Sequence, residues 1–179
     1  MRYMLRATIA LAIVLYCTPV LAGQPQVGDT IPDFTIAPLA VQGDATLLGL
    51  EENRPFKLGD IQTPYVIIEI IGVYCPLCHA MAPSLTRLCK RLKKARLDDR
   101  VSLLGIAAGG TSMEVQHIRG KDYIFPVAHD TEYDIYGKLG DPKTPFTMLV
   151  DREGTILYTY LGIIPDFDAF FREIQALVK

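Results

Sequence analysis

The chain of 179 residues sets 18 lysines and arginines against 20 aspartates and glutamates, for a net charge of −2, with four cysteines and no tryptophan. That balance offers no basic surface for nucleic acid, and so few thiols do not build a disulfide scaffold. The length suits a single domain with a substantial core.

Met1, Arg2 and Arg6 precede an apolar run from Ala7 to Leu21 that closes on Val20-Leu21-Ala22. This pattern predicts a secretory signal peptide over residues 1–22, because its apolar stretch is shorter than the roughly 20 residues that cross a bilayer as a helix. An uncleaved anchor is the less favoured alternative. Cys17 follows the bulky Tyr16 rather than the small residue a lipidation site needs, so it is assigned to the leader. The expected mature domain, residues 23–179, loses Arg2 and Arg6 and no acid. It keeps Cys75, Cys78 and Cys89 in an oxidising, periplasmic or otherwise exported setting.

Gly28 to Pro38 and Pro55 to Leu58 read as irregular or short-strand segments. Tyr65 to Val73 is almost continuously apolar and β-branched, as a strand buried on both faces must be. Cys78, Met81, Ala82, Leu85, Leu88, Cys89 and Leu92 then recur at three- and four-residue steps, which predicts a helix starting near Cys75 with its basic residues outward. Val101 to Ala108 is a second buried strand, followed by a helix whose start is marked by Thr111 and Glu114. Further on, Phe125 to Ala128 reads as a short strand and Thr131 to Leu139 as a short helix. Phe146–Val150 and Thr155–Leu161 form a hairpin, and Asp166 to Val178 a closing amphipathic helix. Strands alternating with helices define an α/β fold.

The chemistry concentrates in Cys75-Pro76-Leu77-Cys78-His79. A cysteine at the first turn of a helix meets unpaired backbone N–H groups and the positive end of the helix dipole, which stabilise its thiolate. Pro76 suits that turn because it has no N–H to leave unpaired. Cys78 is within reach to attack a mixed disulfide formed at Cys75 and close a Cys75–Cys78 disulfide. The same five residues are also the attachment signature of c-type haem, with His79 as axial ligand, so the motif alone leaves both chemistries open.

Three features beyond the motif resemble the thioredoxin fold. Glu69 stands six residues before Cys75, Pro83 eight after it, and Thr144-Pro145-Phe146 precedes an apolar strand. Val27-Gly28-Asp29-Thr30-Ile31-Pro32-Asp33-Phe34 and Leu149-Val150-Asp151-Arg152-Glu153-Gly154 resemble the opening segment and the last hairpin of redoxin-domain proteins. With the export signal, the chain is similar to the periplasmic TlpA/ResA-type thiol-disulfide oxidoreductases. It departs from them in Tyr74, where tryptophan is common, and in Pro76-Leu77 followed by His79.

The resemblance implies a thioredoxin-like fold: a central mixed β-sheet flanked by helices, with an extra strand-helix unit before a cis-proline loop. It implies that Glu69 is a buried acid behind Cys78 with a proton-transfer role, and that Thr144, Pro145 and Tyr74 face the substrate. Protein thiols or disulfides are the implied substrates, with a membrane electron donor or other redox partner recharging the pair; cytochrome c maturation is the pathway suggested, beside general thiol reduction or isomerisation. No cofactor other than the redox disulfide is expected. His79, if protonated, would help depress the Cys75 pKa, and otherwise faces solvent.

Peroxiredoxin chemistry needs a proline and a hydroxyl where Ile68 and Gly72 stand, and copper chaperones space their cysteines more widely. A non-catalytic binding module remains as an alternative beside haem attachment. Cys89, three helical turns from Cys78, reads as a buried thiol, and the scattered His117 and His129 do not suggest a metal site.

Overall fold

The computed structural model describes residues 23–178, so the leader read in residues 1–22 lies outside the described residues. The elements run α1 (Asp44–Leu47), β1 (Tyr65–Gly72), α2 (Pro76–Lys94), β2 (Val101–Ala108), α3 (Ser112–Lys121), β3 (Val127–Asp130), α4 (Asp134–Lys138), β4 (Phe146–Asp151), β5 (Ile156–Leu161) and α5 (Phe167–Leu177). The sheet order is β3-β2-β1-β4-β5. β1, β2 and β3 are mutually parallel and joined by helical crossovers, while β4 runs antiparallel to β1 and turns back into β5. This is the mixed thioredoxin-like sheet implied by the resemblance, and two strand-helix units, β2-α3 and β3-α4, lie between α2 and Pro145.

β1 is buried from Val66 to Ile71 because both of its faces are covered. Ile67 and Ile71 pack with Met81, Leu85 and Leu88 of α2, Val115 of α3 and Phe170 and Ile174 of α5. Val66, Ile68 and Ile70 point the opposite way, against Phe34, Ile36, Leu48 and Phe56 of the N-terminal segment and Ile135 of α4. Strand alternation therefore places Glu69 with Ile67 and Ile71, on the face that α2 covers.

Where structure and sequence differ, local chemistry explains it. The strand expected at Phe125 begins at Val127, since Pro126 has no N–H to give; its carbonyl accepts from the Gly105 N–H at 2.8 Å instead. The helix expected from Thr131 begins at Asp134 because Tyr133 holds a left-handed φ of 59°. Pro55 to Leu58 supplies a single bridge, Ile36 to Phe56, and then a 3-10 turn at Leu58–Asp60. The short α1 had no sequence cue. It is fixed by buried Asp44, whose carboxylate takes two hydrogen bonds from Arg119 of α3. Arg119 also donates to the Tyr123 carbonyl at 2.7 Å, tying the end of α3 to the N-terminal layer.

Candidate active site

β1 ends at Gly72, and Val73 and Tyr74 carry the chain to Cys75, the N-cap of α2, with Pro76 in the first helical turn. The Cys75 N–H donates to the Gly72 carbonyl at 3.0 Å, which folds the turn back on the strand. A Cβ on Gly72 would stand 3.2 Å from the Cys75 Cβ and 3.5 Å from the Thr144 Oγ1, so a side chain there would crowd the reactive cysteine. The motif thus sits at the carboxyl end of a central parallel strand.

Both cysteines are free thiols, and they are unequal. Cys75 is partly exposed, and its Sγ accepts from the Cys78 N–H at 3.3 Å while lying 3.7 Å from the Thr144 carbonyl. Partial burial pulls its pKa upward. Hydrogen bonds from the Cys78 thiol, the Thr144 hydroxyl and the Cys78 and Leu77 N–H groups outweigh that pull and hold it below the ordinary thiol value. Cys78 is 1% exposed, and burial, followed by the hydrogen bond to Cys75, pushes its thiol up to about 12. One sulfur is suited to attack, the other to wait as a protonated thiol.

Beneath them Glu69 is wholly buried, and burial pushes its carboxyl up to about 8. Thr147 donates to Glu69 Oε2 at 2.6 Å, while Oε1 has no partner among the described residues. Glu69 and Thr147 are register partners across β1 and β4, and Thr147 follows the cis Thr144–Pro145 peptide by two residues. The strand carrying the acid and the strand opening on the proline are therefore locked together. The Pro145 carbonyl is anchored in turn by the Gly162 N–H at 2.8 Å.

His79 makes two contacts that the sequence did not disclose. Its Nε2 lies 2.8 Å from the Val73 carbonyl and its Nδ1 3.2 Å from Asp122 Oδ2, so it braces the turn before Cys75 against the end of α3. Tyr74 is 83% exposed beside Cys75, and its hydroxyl donates to Glu114. Hydrogen bonds from Thr111 and Tyr74 hold the Glu114 carboxyl down at about 2. Cys89 is half-buried rather than buried, in a surface groove with Leu47, Ile124 and Phe125. Burial pushes its thiol up to about 11, so it does not compete with Cys75. Sequence reasoning missed Thr147, Asp122 and Tyr123. Only the Glu69–Thr147 strand register would have found the first.

Fold and site together define a thioredoxin-like protein with a Cys-x-x-Cys pair at the head of α2. The Redoxin family profile matches residues 26–172, and the chain belongs to that family. It is 24% identical over 143 residues to the thiol-disulfide oxidoreductase ResA of Geobacillus thermodenitrificans, covering 79% of this chain and 73% of that one. The thioredoxin domain of a thiol-disulfide oxidoreductase from Bacteroides vulgatus superposes with a TM-score of 0.65 at 16% identity, over 87% of this chain and 100% of that one. A secreted Mycobacterium tuberculosis disulfide oxidoreductase homologous to E. coli DsbE does so with a TM-score of 0.60 at 20% identity, over 80% and 95%. The TlpA/ResA-type resemblance drawn from the sequence is borne out.

Proposed function

We propose that the protein is an exported thiol-disulfide oxidoreductase in which Cys75 attacks a disulfide of a protein substrate and Cys78 resolves the adduct. Attack by the Cys75 thiolate forms a Cys75–substrate disulfide and releases one substrate sulfur. Cys78 then gives its proton to Glu69 and attacks the Cys75 Sγ, releasing the second substrate sulfur as a thiolate and leaving Cys75 and Cys78 as a disulfide. The substrate is reduced and the pair oxidised. Thr144 and Pro145, whose backbone borders Cys75, hold the substrate chain, and exposed Tyr74 flanks it. Residues 1–22 direct export, and a membrane electron donor returns the pair to the dithiol. Cytochrome c maturation, with the cysteines of apocytochromes as substrate, is the pathway that the TlpA/ResA-type resemblance suggests.

One observation carries this reading: the asymmetry between a partly exposed, acidified Cys75 and an enclosed, protonated Cys78 with a buried acid below. Haem attachment does not fit the same residues. It needs both sulfurs and an imidazole nitrogen at the surface of the group, whereas Cys78 is 1% exposed and both His79 nitrogens face protein oxygens. Insulin reduction by dithiothreitol, followed by turbidity, tests the proposal. The protein accelerates precipitation and its Cys75→Ser variant does not; equal rates with and without either protein would overturn the reading.

A further inference from the structure

Among the described residues, two buried side-chain oxygens lack a hydrogen-bond partner: Glu69 Oε1 and the Tyr123 hydroxyl. Orphans of this kind are rare in folded proteins, and buried waters typically bond to such otherwise-unsatisfied polar groups. Their placement brings these two together. Glu69 stands opposite Gly105 in the β1–β2 register. The space a Gly105 side chain would fill is approached by Phe125, with Cε2 3.4 Å from the ideal Cβ position. Tyr123 packs edge-on against that Phe125, ring centroids 5.4 Å apart.

Tyr123 is 1% exposed, in the same apolar cluster as Cys78. Burial, and then the nearby charges of Cys78, Glu69, Asp122 and Cys75, push its hydroxyl well above the ordinary tyrosine value, so it remains a donor throughout the working range. Its backbone is pinned by the Arg119 hydrogen bond to the Tyr123 carbonyl. An ionised carboxylate accepts hydrogen bonds only, and Thr147 serves just one of the two Glu69 oxygens.

We propose that Tyr123 is a positioning residue for the resolving step: through one bridging water its hydroxyl donates to Glu69 Oε1, stabilising the carboxylate that takes the proton from Cys78. This rests on Cys75 and Cys78 performing the exchange proposed above. The proton leaves Cys78 Sγ for Glu69; the Cys78 thiolate forms the bond to Cys75 Sγ; and the Cys75–substrate bond breaks, its electron pair leaving with the substrate sulfur. The ionisable groups whose charges reach Tyr123 are Cys78, Glu69, Asp122 and Cys75; Cys75 also acts on Glu69, to which β4 contributes the neutral Thr147. Of the two carboxylates, Asp122 is engaged by His79 Nδ1 at 3.2 Å, whereas Glu69 keeps an oxygen without a partner among the described residues and is the one assigned the proton of Cys78.

Stopped-flow reaction of the reduced protein with 5,5′-dithiobis(2-nitrobenzoate) separates the steps. The first thionitrobenzoate reports attack by Cys75, and the second, released when Cys78 closes the disulfide, reports resolution. In Tyr123→Phe the first phase stays at the parent rate. The second slows about three- to tenfold below its pH midpoint, and that midpoint moves up by about one unit. In a Glu69→Gln background the same substitution adds nothing. Should Tyr123→Phe not fold, 3-fluorotyrosine placed at position 123, a stronger donor, moves the midpoint down. An unchanged midpoint in whichever variant folds, or both phases slowed alike, overturns the inference; a parent that releases no first thionitrobenzoate overturns the exchange reading instead.

Discussion

Cys78→Ser protein, reduced and mixed with a disulfide-bonded peptide, accumulates close to one equivalent of covalent adduct at Cys75, while Cys75→Ser accumulates none. The geometry makes the two variants opposite. Cys75 caps α2, its sulfur receives the Cys78 N–H at 3.3 Å, and its side chain is partly exposed, so attack needs no rearrangement. Cys78 is enclosed and held protonated, so it cannot replace Cys75 as the first nucleophile. Its part begins only when a disulfide forms at the neighbouring sulfur. A serine at position 78 blocks that second displacement and traps the intermediate. Intact-mass spectrometry before and after dithiothreitol reads the adduct. An adduct in Cys75→Ser, or complete turnover in Cys78→Ser, would assign the roles wrongly.

The second large effect is on stability. Glu69 has its folded-state pKa raised to about 8 from an ordinary 4.5, with burial the main cause. A group raised in this way contributes stability that is fully present below the unfolded value and is lost as pH rises through the folded value. The window therefore runs from about pH 4.5 to about pH 8, with a slope of roughly 1.4 kcal/mol per pH unit and a total of about 3–5 kcal/mol. Glu69→Gln removes this slope, because glutamine does not ionise. Urea unfolding of the two reduced proteins at pH 5 and pH 8 measures it. The parent loses several kcal/mol more than the variant across the interval, and parallel losses would mean that Glu69 titrates normally.

What the sequence disclosed depended on whether the cause was local. The helix start at Cys75 was legible because N-cap position, Pro76 and the apolar spacing of Met81, Leu85 and Leu88 all act within a few turns. The Thr111–Glu114 capping box was legible for the same reason. β1 announced itself by a nearly continuous β-branched run and β2 by a mostly apolar one. Glu69 stood out because one carboxylate interrupts such a run.

The environment of Glu69 was not legible. Thr147 comes 78 residues later and meets it only through strand register. Asp122 and Tyr123 reach the site because Arg119 and Asp44, 75 residues apart in the chain, clamp the end of α3. His79 shows the same limit. Its place after Cys78 suggested electrostatic help to a thiolate or exposure to solvent, and did not disclose that Asp122 and the Val73 carbonyl also make it a brace. Cys89 repeated at the apolar spacing of α2 yet lies at the margin of the packed face, half-buried, where the helix meets a surface groove.

The central claim is that the two sulfurs of the motif differ in kind, and competitive alkylation measures this directly. The reduced protein is treated briefly with limiting iodoacetamide at pH 7, unfolded, labelled with a second alkylating reagent and mapped by mass spectrometry. Cys75 takes the first label, with Cys78 and Cys89 about 100-fold slower or more, as thiolate population and access dictate. First label distributed equally between Cys75 and Cys78, or absent from both, would contradict the account.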